Sequence, residues 1–190
     1  MTYQNNNIVL SDSYIPDLAY KNESNSILIL ANEDDQKKFM LDTALYYTAK
    51  GIPVVFVTDD IDELEKSFSA FPESERLRGK KELTYHTGTL GLLCTLIDVV
   101  KSKRMIRPII IFFKSLPETL TDEAKDIFRF AESVKPLFTQ VYMFAPELYD
   151  YFYDYINHTA ELEYYRNAND EQTIMKIQFS NSIALDDDEE

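Results

Sequence analysis

Apolar runs of strand length alternate along this chain with longer segments in which apolar residues recur at helical spacing. The apolar runs are SILILA (26–31), IPVVFVT (52–58), RPIIIFFK (107–114) and TQVYMFA (139–145), with ELTYH (82–86) as a weaker strand candidate. Short continuous apolar runs are typical of strands that are buried on both faces of a parallel sheet. The pattern predicts an α/β protein with a doubly wound, mainly parallel sheet and helices on both faces.

Five helices are predicted around these strands. The first runs from Asp34 to Lys50 and ends at Gly51, and the second follows Asp59 or Asp60, either of which can cap its N-terminus. The remaining three are predicted over 89–104, 119–135 and 146–158. In the last of them, Leu148, Phe152, Tyr155 and Ile156 are expected to face the core.

The two ends of the chain differ from its middle. Residues 1–25 are polar and predict a loose N-terminal arm with one short strand at NIVL (7–10). A single α/β domain is predicted over 26–181, closed by an antiparallel hairpin whose strands flank the turn-forming NAND. The acidic residues 182–190 are expected to be disordered, because like charges repel one another.

The order of these elements resembles the RecA-like branch of the P-loop ATPases. In that family the first core strand leads into the phosphate loop and a helix, a later strand carries the metal-binding acid, and antiparallel strands close the sheet. The matching pieces here are SILILA (26–31), DQKK to VTDD (35–60), RPIIIFFKSLP (107–117), TQVYMFAPE (139–147) and AELEYYR to IQFS (160–180). The resemblance covers about residues 26–180 and lies in element order. It implies a RecA-like fold.

The residues that would bind and hydrolyse ATP are missing from the matching positions. A phosphate loop needs Gly for close backbone approach, Lys for the phosphates and Ser or Thr for Mg²⁺. The segment Ala31–Lys38 has no Gly, Ser or Thr, and it carries three consecutive acids from Glu33 to Asp35. The strand that should end in a metal-binding Asp ends in Phe113 and Lys114. The chain is therefore predicted to be a pseudo-ATPase, not an enzyme, with no cofactor and no metal.

Charge and cysteine usage restrict the partners. The formal net charge is −14, from 19 basic and 33 acidic residues, so direct nucleic-acid binding by the chain alone is not expected. A basic protein surface would be a better partner.

The single cysteine, Cys94, provides no disulfide framework, and no apolar run is long enough to span a bilayer. We expect an intracellular protein, cytoplasmic or nuclear, with no membrane association.

Tyrosines are concentrated near the C-terminus. Six of them, with Phe152 among them, are Tyr149, Tyr151, Tyr153, Tyr155, Tyr164 and Tyr165. Three of these, at positions 149, 151 and 153, are expected nearer to solvent. Because Tyr is enriched at protein interfaces, the group is a candidate interface, although core packing accounts for it as well. Stacking on single-stranded bases is a further alternative, which the neighbouring Asp150 and Asp154 disfavour.

Two hypotheses of different classes follow. In the first, the chain is a catalytically silent RecA-like subunit of a hetero- or homo-oligomer, and its partners are other protein subunits that are RecA-like or have a basic surface. By resemblance this would be an accessory factor in DNA recombination, repair or replication, with an Elongator-like subunit in tRNA modification or a degenerate motor-like domain in secretion or conjugation as variants. In the second, another doubly wound protein binds Mg²⁺ or a small molecule through Asp59, Asp60, Thr87 and Gly88, at the carboxyl ends of strands. For Asp59 and Asp60, an N-cap and its solvated neighbour are the simpler interpretation.

Overall fold

The computed structural model describes residues 8–10, 26–78, 83–86, 108–134, 140–156, 158–166 and 173–181. The predicted helix over 89–104, Thr87, Gly88 and the acidic tail 182–190 lie outside the described residues.

The described strands form one sheet. They are β1 (Ile8–Leu10), β2 (Ser26–Leu30), β3 (Val54–Val57), β4 (Leu83–His86), β5 (Ile109–Phe112), β6 (Val141–Ala145), β7 (His158–Arg166) and β8 (Thr173–Asn181). Their spatial order is β1-β8-β7-β2-β6-β5-β3-β4. The five strands from β2 to β4 in this order are mutually parallel. The predicted α/β class with a parallel sheet is confirmed.

The strands on the other side of β2 have mixed directions. β7 pairs in parallel with β2, whereas β8 pairs antiparallel with β7 and β1 pairs antiparallel with β8. The connection 167–172 lies outside the described residues. The closing hairpin and the RecA-like assignment therefore stay predictions at this point.

Three α-helices are described. They are α1 (Glu33–Ala49), α2 (Ile61–Ser69) and α3 (Asp122–Val134), accompanied by 3₁₀ helices at Pro72–Arg76 and Asp150–Asp154. α1 is followed by Gly51 at φ 71°, a left-handed conformation that glycine adopts without strain. None of the described helices is long and apolar enough to cross a membrane.

The predicted helix over 146–158 is wrong. Only the 3₁₀ helix Asp150–Asp154 forms there, and His158 begins β7. The connection 146–157 leaves β6 and returns the chain to β7 beyond β2, while Phe152 and Ile156 are buried against the sheet. Tyr, Phe and Asp are weak helix formers, so these two anchors determine the path.

Two layers of apolar side chains cover the sheet. Alternate residues of one strand point to opposite faces, so Ile27 and Ile29 pack under α1 and Leu28 packs under α3. On the α1 face the ring centroid of Phe39 lies 5.5 Å from Tyr142 and 6.0 Å from Phe144, in edge-to-face contacts. The amphipathic helix predicted over 119–135 forms as α3, whose buried residues are Ala124, Phe128, Phe130, Ala131 and Val134.

The topology places a crevice at one edge of the sheet. The connection after β2 leads through α1 to β3 on one side, whereas the connection after β6 leads to β7 on the other side of β2. In open α/β sheets, ligands bind outside the carboxyl ends of the strands at such a reversal of direction.

Candidate functional site

The link between β2 and α1 consists of two residues. β2 ends at Leu30 and α1 begins at Glu33, which leaves Ala31 and Asn32 between them. The backbone N–H of Ala31 donates to the carbonyl oxygen of Ala145 at 3.0 Å and continues the sheet pairing. Such a short link has no loop of free backbone N–H groups that could surround a phosphate.

The N-terminus of α1 is capped by a side chain of the chain itself. Asn32 is the N-cap, and its Oδ1 accepts a hydrogen bond from the backbone N–H of Asp35 at 3.0 Å. The first turn carries the carboxylates of Glu33, Asp34 and Asp35. These three negative charges already interact favourably with the helix dipole, and they would repel a phosphate placed at the same end.

A buried amide forms the floor of the crevice. Gln36 is 3% exposed; its Nε2 donates to the carbonyl oxygen of Ala31 at 2.7 Å, and its Oε1 accepts from the hydroxyl of Ser115 at 2.5 Å. These contacts connect α1, the end of β2 and the segment after β5. Sequence reasoning missed this group, because no local pattern marks a glutamine whose partner is distant in sequence.

The crevice itself is a cavity of about 390 Å³. Its apolar surface comes from Met40, Phe113, Leu116, Pro117, Pro146 and Tyr149, and its charged side chains are Glu33, Lys37, Glu63, Lys114 and Glu118. The cavity is therefore an apolar groove with a charged rim, formed by α1, α2 and the segments that follow β5 and β6.

The two lysines of the rim already have carboxylate neighbours. Lys37 forms an ion pair with Glu33 one turn earlier in α1. The Nζ of Lys114, at the end of β5, lies 4.0 Å from a carboxylate oxygen of Asp59. A cation thus follows the strand at the position where the RecA-like pattern would have a metal-binding acid. Among the described residues, no group of three or more His, Cys, Asp and Glu side chains is placed to hold a metal ion.

Asp60 has the role of a helix cap. Its Oδ1 accepts from the backbone N–H of Glu63 at 2.9 Å, and its own N–H donates to the hydroxyl of Thr58 at 3.1 Å. Asp59 is exposed and lies near Lys114. The described part of the alternative ligand site is therefore an N-cap and a surface ion pair.

Two of the six tyrosines pack against the hydrophobic core. Tyr149 and Tyr151 are half-buried and pack on the α3 side of the core, and Tyr151 donates from its hydroxyl to the carbonyl oxygen of Pro117 at 2.5 Å. Burial, and secondarily Tyr149, raise the pKa of Tyr151 to about 12. Burial, followed by the charges of Glu147 and Glu118, also raises the pKa of Tyr149. The prediction that both lie nearer to solvent than the core-facing residues is only partly met.

The exposed apolar residues of this segment are not those expected. Leu148 and Tyr155, predicted to face the core, are 41% and 38% exposed, while Tyr153 is 53% exposed as predicted. The ring of Tyr155 stacks on Phe128 of α3, with centroids 4.8 Å apart and planes at 14°. The prediction failed because it assumed a helix. We call Leu148, Tyr153 and Tyr155 the tyrosine surface.

The remaining tyrosines lie elsewhere. Tyr164 packs on the α1 face of the sheet, opposite to α3. Its hydroxyl donates to Oδ2 of Asp42 at 3.2 Å, and the Nζ of Lys38 lies 5.1 Å from its ring centroid. Tyr165 belongs to β7, and its side chain is outside the described part of the chain. The two tyrosine groups of the sequence are therefore not one continuous surface.

No protein-family model matches the chain, and no curated protein matches it in sequence. Any function must therefore be argued from the geometry of the crevice and of the tyrosine surface.

Proposed function

We propose that the chain is a non-catalytic, RecA-like subunit of a protein assembly, a pseudo-ATPase that acts through protein–protein contacts. The observation that carries the proposal is the two-residue link between β2 and α1 with the acidic first turn behind it. In an ATPase of this fold that link would be the phosphate loop.

The sheet topology supports the RecA-like part of the proposal. β2 lies inside the sheet, leads directly into α1 and stands beside the crevice, as the first core strand of the RecA-like pattern should. β5 and β6 follow in the expected order along the chain. Antiparallel pairing of β7 with β8 is consistent with the closing hairpin of that pattern.

The charges of the crevice support the absence of nucleotide binding. A nucleoside triphosphate would bring several negative charges to the end of α1, where Glu33, Asp34 and Asp35 lie. Lys37 is neutralised by Glu33, and no carboxylate occupies positions 113–117 to hold a magnesium ion. Neither the phosphates nor their metal would find the ligands that they need.

The tyrosine surface supports a role in protein contacts. Leu148, Tyr153 and Tyr155 expose apolar area on a chain of net charge −14, and Asp150 and Asp154 lie between them. Aromatic residues are enriched in protein interfaces, and an acidic surrounding favours a basic partner over a nucleic acid. An accessory role in DNA recombination, repair or replication follows from the resemblance alone and stays a prediction.

Calorimetric titration of the purified chain with ATP, ADP and GTP, each with Mg²⁺, tests the proposal. We expect no binding heat under conditions in which an active P-loop ATPase gives saturable binding. The control is the double variant D34S/D35S, which removes two charges from the first turn of α1. This variant should also give no binding heat, because the two-residue link between β2 and α1 is unchanged. Micromolar binding by the wild-type chain would contradict the proposal.

A second measurement tests the contact surface. Chemical cross-linking in the source cell, followed by identification of cross-linked peptides, should recover partner peptides joined near 147–156. The variant Y153S should lose these cross-links, whereas E161Q, which changes an exposed residue of β7, should keep them. Cross-links that are equally abundant in both variants would exclude this surface.

A further inference from the structure

β7 continues beyond the end of the strand with which it pairs in parallel. It pairs with β2 only as far as Glu161, which lies opposite Leu30, where β2 ends, and it then runs on to Arg166. We call residues 162–166 the β7 extension. The extension pairs along its whole length with β8, which in turn pairs with β1. It is therefore the inner strand of a small three-stranded antiparallel sheet that projects past β2.

Side chains of α1 bind the β7 extension where β2 no longer does. The backbone N–H of Tyr164 donates to Oδ2 of Asp35 at 3.4 Å, and the same oxygen accepts from Nδ2 of the cap residue Asn32 at 2.6 Å. The hydroxyl of Tyr164 donates to Oδ2 of Asp42 at 3.2 Å. Lys38 contacts that oxygen at 2.9 Å, and its Nζ lies 5.1 Å from the ring centroid of Tyr164. Three side chains of one helix therefore hold this tyrosine.

The residues of α1 that hold Tyr164 and those that line the crevice form two opposite faces of the helix. The first set is Asp35, Lys38 and Asp42, and the second includes Glu33, Gln36 and Met40. Each member of the second set stands two positions before a member of the first, which in an α-helix is a rotation of about 200°. The N-terminal half of α1 thus lies between the β7 extension and the crevice.

We propose that the β7 extension is a strap that sets the position of the N-terminal half of α1 and, through it, the width of the crevice. While Tyr164 is held, α1 keeps Gln36 against Ser115 on the opposite wall. Release of Tyr164 would let this end of α1 move and would separate the two walls. Binding at the extension and binding in the crevice would then affect each other reciprocally. The inference does not depend on what the crevice binds, so it is independent of the proposed function.

Amide hydrogen exchange of the full chain, followed by NMR, tests the inference with the variant Tyr164→Ala. We expect the amides of Gln36 and Leu116 to exchange at least about fivefold faster relative to Ile111, whose place in the middle of β5 makes it a measure of global opening. Leu116 is decisive, because its N–H donates to the carbonyl oxygen of Phe144 at 2.7 Å on the far wall of the crevice. Two strands, β2 and β6, separate β5 from β7.

Two further variants separate the strap from a general loss of packing. Tyr164→Phe removes only the hydroxyl that reaches Asp42, and it should give the same pattern at about twofold or more, even if Tyr164→Ala does not fold. Tyr46→Ala removes another half-buried tyrosine that packs on the same core from the last turns of α1, and it should leave both exchange ratios unchanged.

Three outcomes would overturn the inference. They are an equal rise at Gln36, Leu116 and Ile111 in the Tyr164 variants, a rise or its absence at Gln36 with Leu116 unchanged, and the strap pattern in Tyr46→Ala. Binding of ATP in the crevice would contradict the proposed function and leave this inference intact.

Discussion

The hydroxyl of Ser115 donates a hydrogen bond of 2.5 Å to Oε1 of Gln36, although 79 positions separate the two residues. The Nε2 of the same side chain donates to the carbonyl oxygen of Ala31 at 2.7 Å. One buried amide therefore holds together the end of β2, the first turns of α1 and the segment after β5. This contact stabilises the shape of the crevice.

Replacing Gln36 with Met tests this role. Met has a similar volume but no hydrogen-bonding amide, so the carbonyl of Ala31 would lose its side-chain partner in a buried place. We expect the free energy of unfolding to fall by about 1–3 kcal/mol. Urea denaturation followed by circular dichroism measures the change.

Ser115→Ala is the matched variant for the same contact. It removes only the donor to Gln36, and we expect a loss of about 1 kcal/mol. The double variant should lose less than the sum of the two single losses, because both remove the same hydrogen bond. Strict additivity would show that the two side chains do not interact.

Local patterns were sufficient to predict most of the sheet. β2, β3, β5 and β6 are continuous apolar runs, and the cap at Asp60 stands directly before the helix that it begins. These features depend on neighbouring residues, which the sequence displays in order. The acids at 33–35 also favour the first turn of a helix, which was predicted to begin at Asp34 and begins at Glu33.

Contacts between distant residues could not be predicted in this way. The pairing of Gln36 with Ser115 depends on the order of strands in the sheet, which no local pattern reveals. The helix predicted over 146–158 was wrong for a related reason. Phe152 and Ile156 are spaced as in a helix, but the path of the chain from β6 to β7 determines where they lie. Exposure of Leu148 and Tyr155 follows from that path.

Asn32 is predicted to stabilise the folded protein by capping the N-terminus of α1. Asn32→Ala removes the acceptor for the backbone N–H of Asp35, and we expect a loss of about 1 kcal/mol in the free energy of unfolding. Asn32→Ser should retain most of the stability, because serine is also a good N-cap. If the two variants unfolded at the same urea concentration, the cap would not be a source of stability.

Tyr151 gives a prediction at high pH. Its pKa of about 12 in the folded protein exceeds the ordinary value of 10.0. Below pH 10 the hydroxyl of Tyr151 is protonated in both the folded and the unfolded state. Its contribution to the free energy of unfolding is then fully present. As the pH rises from 10 towards 12, the unfolded chain loses the proton first, so the free energy of unfolding falls.

The variant Tyr151→Phe isolates this contribution. It cannot ionise, so its stability should fall less steeply than that of the wild type between pH 10 and 12. Tyr153→Phe is the control, because it removes an exposed phenol and leaves the contact with Pro117 intact. Urea titrations at several pH values provide the slopes, and equal slopes for wild type and Tyr151→Phe would contradict the assignment.

Phe128 packs against Tyr155, one of the three residues of the tyrosine surface. This residue of α3 is 3% exposed, stacks on Tyr155 and contacts the rings of Tyr151 and Phe152. Phe128→Ala should cost about 3–5 kcal/mol, because it leaves a cavity under three aromatic rings. Phe128→Leu should cost less, since it fills more of the space. Thermal unfolding measured by circular dichroism would rank the two variants.

Tyr153 is predicted to contribute to partner binding and not to the stability of the fold. Its side chain is 53% exposed, and no hydrogen bond or ring contact to it is present among the described residues. Tyr153→Ser should therefore change the free energy of unfolding by less than about 0.5 kcal/mol, as is usual for surface positions. If the tyrosine surface binds a partner, the same variant should weaken that binding while its urea midpoint is unchanged. A stability loss as large as that of Phe128→Leu would instead make Tyr153 a part of the core.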